Sequence, residues 1–456
     1  VKRLSILAAL ISLGTAPAEA KVALPKAQEF ALSNGLAVRV ISRHELPLFS
    51  MQLVFRAGSV YDPAGQEGLA SLTSDMLLRG TESRTAKQIA EDVAFGGGTL
   101  TNEAGYESAA LSGEFLTAQG EKAVEILADL VLRSSYTAEE FDKTKSLVLG
   151  QLGSRRENPS LVANDAIWET LLKDSPYGHF TGGTAATVSA LTRDDVVKFA
   201  RSRYTPDNAV LVVCGDVKAD LVKKWVNKYL GPWKGKATAS QAVSPFASIE
   251  GRQVILYDKQ DATQTQIRIG SLGLPLGHAD FPALEVARTV YGGSFASRLM
   301  DEIRVNRGLS YGVSYRSTSM RPGGVVYVTT FTKNATVAEV LDIVLAEAAK
   351  MQTQAVSDSE LTDGANYRAG TYPLDFETND DLAGVFASMW LNGLERSYYE
   401  DYQERLRAVE PPIAVTVAQK YFPGEHFRLV LVGKAEEVLP QVEKYGPVKV
   451  VPFSSE

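Results

Sequence analysis

A motif near the middle of the chain returns near its end. Tyr204-Thr-Pro leads into an apolar run closing on Leu211-Val-Val-Cys-Gly215, and Tyr421-Phe-Pro leads into Leu429-Val-Leu-Val-Gly433, 217 to 218 residues later. An opening strand around Val38 has its counterpart around Val254, 216 residues on. Three anchors at nearly one offset mark an internal duplication of a unit of about 210–220 residues, at the large end of single-domain sizes. A length of 456 residues allows two to four domains, and the offset selects two.

Each copy mixes short alternating strands with blocks of helix. In the first, Leu32-Ser-Asn-Gly sets a turn before an alternating strand through Val38 and Val40, and Phe49–Gly58 reads as a second strand. The spacing of Leu69, Leu72 and Met76 predicts a helix over Gly68–Leu78. Ala86–Ala94 predicts another, stopped by Gly96-Gly97-Gly98. Strands follow at Thr99–Asn102 and Ala109–Phe115, then helices from Ala118 to about Arg156, at Asn164–Leu172 and at Asp194–Ser202. Strands and helices in blocks give an α+β fold, two homologous domains, each a mainly antiparallel sheet packed with helices. The boundaries are 21–230 and 252–456, joined by a Pro-, Gly-, Ser- and Ala-rich linker over 231–251. Two such sheets facing across a linker are expected to enclose a cavity.

Residues 1–20 stand apart. Lys2 and Arg3 precede an apolar run from Leu4 to Leu13, and Ala18-Glu19-Ala20 has the small-x-small pattern of a signal-peptidase site. Cleavage after Ala20 and export, most simply to a periplasm, are the expectation. No later stretch reaches 18 uninterrupted apolar residues, so no membrane span is expected. Without residues 1–20 the chain has 45 basic and 53 acidic residues, a formal charge of −8, which argues against nucleic acid as a partner. The one cysteine, Cys214, lies in an apolar run and reads as a buried strand residue, so no internal disulfide forms.

The stretch Asp301–Tyr315 is the richest in chemistry. Phe295, Leu299, Met300 and Ile303 recur at helical spacing, Arg304 and Arg307 crowd the last turn, and Gly308 is a natural stop. Leu309, Tyr311, Val313 and Tyr315 then alternate with small residues as in a strand, which lets Arg304 and Tyr311 converge. On periodicity alone, a solvated helix-end arginine and a half-buried strand tyrosine are the commoner explanation of the pair.

The duplication, the Arg304/Tyr311 stretch, Pro176-Tyr-Gly-His-Phe and the run Arg56-Ala-Gly-Ser to Met76-Leu-Leu-Arg-Gly-Thr together resemble the pitrilysin/insulinase family of inverted zinc metallopeptidases. The likeness is to the short bacterial members and mitochondrial processing peptidases, whose subunits each carry two homologous α+β domains and pair around a chamber. In catalytic members the helix after Gly-Leu-Ala carries H-x-x-E-H, two zinc-binding histidines and a glutamate that activates water. The matching positions here are Ser71, Ser74 and Asp75, and the position of the third ligand, a glutamate, is Gln151. Serine and glutamine are not zinc ligands of that kind, so no metal or cofactor is expected in this chain. Its four histidines, His44, His179, His278 and His426, fall in separate loops without ligand spacing.

The resemblance implies that Arg304 and Tyr311, seven positions apart as in catalytic members, contact the substrate backbone opposite the zinc and stabilise the tetrahedral intermediate. A chain that keeps this pair without ligands is expected to be a non-catalytic subunit. Its partner would be a zinc-bearing H-x-x-E-H subunit, and the heterodimer would hydrolyse peptides or unfolded segments, which add as a strand to a sheet edge. The isolated chain is expected to be inactive. The alternative is a purely structural or peptide-binding member. New chemistry at Ser71 or Ser74 is disfavoured, because no histidine is placed as a base. The glycine run 96–98 needs no function beyond ending a helix.

Overall fold

In the computed structural model, residues 21–239 and 244–453 are described; the expected signal peptide, residues 1–20, lies outside them. The alternating segments of the first half form β1 (Gln28–Ala31), β2 (Ala37–Ser42), β3 (Leu48–Phe55), β4 (Thr99–Ala104), β5 (Ala109–Leu116) and β6 (Ala209–Gly215), in the order β1-β2-β6-β3-β5-β4. The second half forms β7 (Arg252–Asp258), β8 (Gln264–Gly273), β9 (Val313–Ser319), β10 (Gly324–Lys333), β11 (Phe427–Gly433) and β12 (Val448–Pro452), in the order β12-β7-β11-β8-β10-β9.

The register realises the duplication residue by residue. Val38 pairs in parallel with Leu211, and Val254 with Leu429. On the other side Leu53 opposes Leu211 antiparallel, and Ile269 opposes Leu429. Five strands of each sheet therefore correspond. The sixth does not: β1 joins β2 antiparallel from the N-terminal side, whereas β12 joins β7 in parallel from the C-terminal end.

The helices of the first half are α1 (Leu69–Met76), α2 (Ala86–Phe95), α3 (Gly120–Arg133), α4 (Ala138–Glu157), α5 (Pro159–Leu171), α6 (Ala185–Ala190), α7 (Arg193–Arg203) and α8 (Ala219–Tyr229). In the second half α9 (Phe281–Arg288), α10 (Arg298–Met300), α11 (Val337–Thr353), α12 (Asp358–Thr371) and α13 (Asn379–Asn392) lead to shorter helices. The helix predicted over Asn164–Leu172 starts five residues early. Asn158 caps it by accepting the N–H of Ser160 at 3.0 Å, and Pro159 supplies the first helical φ. The missed residues, Pro159-Ser-Leu-Val-Ala163, are mostly apolar, and their start is marked by that cap and proline.

One face of each sheet packs on helices of its own half. Val38, Leu53, Leu111 and Leu211 bury against α1, α3, α7 and α8 in the first core. The opposite faces are covered by exchange. Ile41, Val54, Val210, Val212 and Cys214 of the first sheet pack on Leu382, Ala383, Phe386 and Met389 of α13, a helix of the second half. Val325, Tyr327, Val430 and Val432 of the second sheet pack on Ala163, Ala166, Ile167 and Leu171 of α5, a helix of the first. Full burial of each large apolar side chain is worth about 1.5–3 kcal/mol, so neither sheet is complete without the other half. Instead of an open space bridged by a linker, the halves hold one another through these two helices.

Equivalent polar residues grip the exchanged helices. Gln52 in β3 donates to the backbone oxygen and carboxylate of Asp380, the second residue of α13, at 3.1 and 2.8 Å. Arg268, in the corresponding place in β8, donates to the hydroxyl of Ser160, the second residue of α5, at 2.8 Å and to Asn164 Oδ1 at 2.6 Å. At the far end of α13, Arg56 donates to the Trp390 carbonyl at 2.9 Å and stacks on its ring, where a cation meets the helix C-terminus. Among its described residues, the linker has no helix or strand. It is anchored by Trp233 against Phe55 and by Phe246 against Tyr177.

Candidate functional site

Arg304 sits on a helix that changes pitch. α10 passes directly into a π-helical stretch, Asp301–Asn306, whose wider turn is a frequent local device at functional sites. Leu299 and Ile303 are buried, as their spacing predicts, but Phe295 precedes the helix and is 67% exposed. Gly308, at φ +61°, ends the segment. The strand predicted from Leu309 begins only at Val313, because residues 309–312 are held by side chains. Thr332 Oγ1 donates to the Leu309 carbonyl at 2.7 Å, Thr330 Oγ1 to that of Gly312 at 2.9 Å, and Ser310 Oγ to Gly312 at 3.0 Å. Side-chain bonds of this kind compete with the ladder. They turn Ser310 inward and leave Tyr311 78% exposed.

The loop brings the predicted pair together. The Arg304 guanidinium carbon lies 5.0 Å from the centroid of Tyr311 and 4.6 Å from that of Phe295. The cation is held between two aromatic rings, an arrangement that fixes its direction while leaving its N–H groups for a ligand. The three residues border a hollow of about 550 Å³, floored by Arg268, Gln266 and Thr330 and reaching Tyr367. Phe295 reads in the sequence only as an apolar residue at helical spacing, and Arg268 had no recognisable signal, since an arginine between Ile267 and Ile269 looks like a solvated position in an alternating strand.

The positions matching the zinc ligands lie on and beside α1 and do other work. Ser71 Oγ donates to the Thr181 carbonyl at 3.1 Å. Asn102 Nδ2, from β4, donates to Ser74 Oγ at 3.3 Å and to Asp75 Oδ1 at 3.1 Å, so an amide bridges the two residues. Burial pushes the Asp75 carboxyl up, and the Asn102 hydrogen bond works against it. Gln151 on α4 is exposed. Asp62 accepts the N–H groups of Gly68 and Ala70 at the start of α1, and burial nonetheless raises its carboxyl to about 7. Among the described residues no three of His, Cys, Asp and Glu come together as a metal-holding group. The donor set does not fit a catalytic zinc ion.

Other motifs are structural. His44, His179, His278 and His426 occupy separate loops, each with its Nδ1 hydrogen-bonded, as His44 is to Asp216 at 2.6 Å and His278 to the Asp280 N–H at 3.1 Å. Tyr177 is fully buried and donates to Glu107 at 2.5 Å, which pairs with Arg321 of the second half at 3.0 Å. The glycine run ends α2, with Gly97 at φ +63°. No helix among the described residues is long and apolar enough to cross a membrane.

A duplicated α+β chain of two six-stranded sheets with exchanged helices is the architecture that comparison with known proteins also finds. The model described as "Insulinase (Peptidase family M16)" matches residues 39–185, and that described as "Peptidase M16 inactive domain" matches 190–366. The chain belongs to the pitrilysin/insulinase family, peptidase family M16. An uncharacterized zinc protease of Rickettsia bellii is 29% identical over 289 residues, 63% of this chain and 69% of that one. Another from Bacillus subtilis is 23% identical over 406 residues, 89% of this chain and 98% of that one. The crystal structure of a peptidase M16 inactive domain from Pseudomonas fluorescens matches with a TM-score of 0.83 at 24% identity, covering 89% of this chain and 98% of that one. A Helicobacter pylori protease matches at 0.84 and 20% identity, with 90% and 100% covered. At these identities the two structures speak for the fold.

Proposed function

We propose that this chain is the non-catalytic subunit of a heterodimeric zinc metallopeptidase, and that Arg304 and Tyr311 act on substrate bound at a partner's zinc site. The observation that carries the reading is the contrast between the halves. Arg304 is poised between two rings at the mouth of a hollow, whereas Ser71 and Gln151 are poor ligands, Asp75 stands without a second ligand beside it, and Ser74 cannot act as the base. The guanidinium and phenol are donors suited to a peptide carbonyl and to the negative charge that grows on it during attack. The zinc belongs to a partner with an intact H-x-x-E-H, and the substrates are peptides or unfolded segments. A periplasmic location follows if residues 1–20 are an export signal.

The test is hydrolysis of a peptide by the purified chain alone and with such a partner, with zinc measured in both. The expected result is a zinc-free, inactive chain that raises the partner's activity, an effect falling about 10²–10³-fold with Arg304→Ala. Stoichiometric zinc and activity in the isolated chain would overturn the reading. A complex indifferent to Arg304→Ala and Tyr311→Phe would assign the chain a structural role instead.

A further inference from the structure

The hollow beneath Arg304 has an unbalanced charge. Two arginines line it, and no aspartate or glutamate does. Arg268, at its floor, is 2% exposed. Its N–H groups are spent on neutral oxygens: Asn164 Oδ1 at 2.6 Å, the Ser160 hydroxyl and carbonyl at 2.8 and 3.3 Å, and the carbonyls of Ile267 and Thr330 at 2.9 and 3.2 Å. Burial lowers its guanidinium to about 10, with Tyr327 working against the shift and Arg316 adding to it. A buried cation without a counter-ion is costly. The cost is not required for the grip on α5, because Gln52 makes the equivalent grip on α13 without a charge.

We propose that the hollow selects peptides through a carboxylate, received by the Arg304 guanidinium and drawn in by the field of the buried Arg268. The assignment rests on the reading of Arg304 and Tyr311 as peptide-binding residues, and it names their substrate class. Arg304 makes the contact, since its face is held by Phe295 and Tyr311 and its N–H groups are open. Arg268 is a specificity-determining residue acting at a distance, because its own donors are occupied. The remaining lining, with Tyr367 and Phe331, gives apolar surface for the stem or neighbours of an acidic residue. The carboxylate is that of a glutamate or aspartate side chain or that of the peptide's C-terminus.

Fluorescence anisotropy with the full purified chain separates these. Four matched peptides carry glutamate or glutamine at one position, each with a free or amidated C-terminus. The expected result is about 10-fold tighter binding of the carboxylate-bearing member, with the preference vanishing at high salt. A preference tracking glutamate assigns the side chain, and one tracking the free C-terminus assigns the chain end. Arg268→Gln, which copies the neutral residue of the first half, is expected to abolish the preference, the carboxylate-bearing peptides binding no more tightly to the variant than the glutamine amide does. If that variant does not fold, the peptide pairs and their salt dependence in the unmodified chain decide alone. Equal binding of all four peptides, with Arg304→Ala weakening all of them, overturns the carboxylate assignment and leaves the parent reading standing. Arg304→Ala without effect on any peptide overturns the parent reading.

Discussion

Arg304 owes its direction to two rings on either side of it, and only one belongs to the familiar pair. Phe295→Ala removes one side of the stack and about 0.5–1 kcal/mol of cation–π attraction. Stimulation of the partner is expected to fall about 2–5-fold, less than with Arg304→Ala, with the chain's thermal midpoint nearly unchanged. Asp129, 1% exposed, makes a prediction about stability. Burial alone would raise its carboxyl, but hydrogen bonds from Thr81, Arg133, Arg84 and Ser83 outweigh that and hold it at about 2. A carboxyl lower in the folded state stabilises fully above its ordinary value, and that contribution is lost as pH falls toward 2. Urea midpoints measured from pH 5 down to 2 should drop in the unmodified chain and change less in Asp129→Asn. At pH 7 the substitution should cost about 1–3 kcal/mol, since it removes charge-assisted bonds to Arg133 and to Arg84, which keeps Asp92 and Glu125. The convergence of Arg304 and Tyr311 was legible in the sequence, because both lie on one short stretch. The contacts of Arg268 and Asn102 were not, because their partners lie more than 20 residues away.

The elements show the same division between local and distant causes. α1, α2, β2, β4 and β5 emerged close to their predicted bounds, because caps, glycines and alternation are local signals, whereas β1 was not predicted and β3 ends at Phe55, three residues short of the predicted Gly58. Thr85, for example, closes a capping box with Gln88 at the start of α2. The segment 309–312 reads as strand by alternation, yet Thr330 and Thr332 on the neighbouring strand capture its carbonyls, and no local pattern reveals that. The exchange of α5 and α13 was equally hidden. It places a large aromatic, Phe386, at the junction of the halves, 1% exposed against the first sheet. Phe386→Ala should cost about 3–5 kcal/mol in a denaturant titration, as much as a substitution in the centre of either core. An effect below 1 kcal/mol would mean that α13 is a loosely held cover.

At the scale of the molecule, the duplication was readable from three anchors, but the mutual dependence of the copies was not. Limited proteolysis within 231–251 is expected to cut the chain without separating the fragments, which should co-elute in gel filtration and melt in one transition. Fragments that part on cutting would show that Trp233, Phe246 and the backbone matter more than the exchanged helices. The two edge strands, β1 and β12, come from opposite ends of the chain and run in opposite senses relative to their neighbours. What was copied is therefore the five-stranded unit with its helices, and the borders were added to each copy separately. A lone unit of that kind has a sheet face to cover and a helix with nowhere in its own body to lie, the condition that a domain-swapped homodimer satisfies. The present chain has the form of such a dimer joined end to end. Once joined, its two copies were free to diverge, and an arginine in one stands where the other keeps a glutamine.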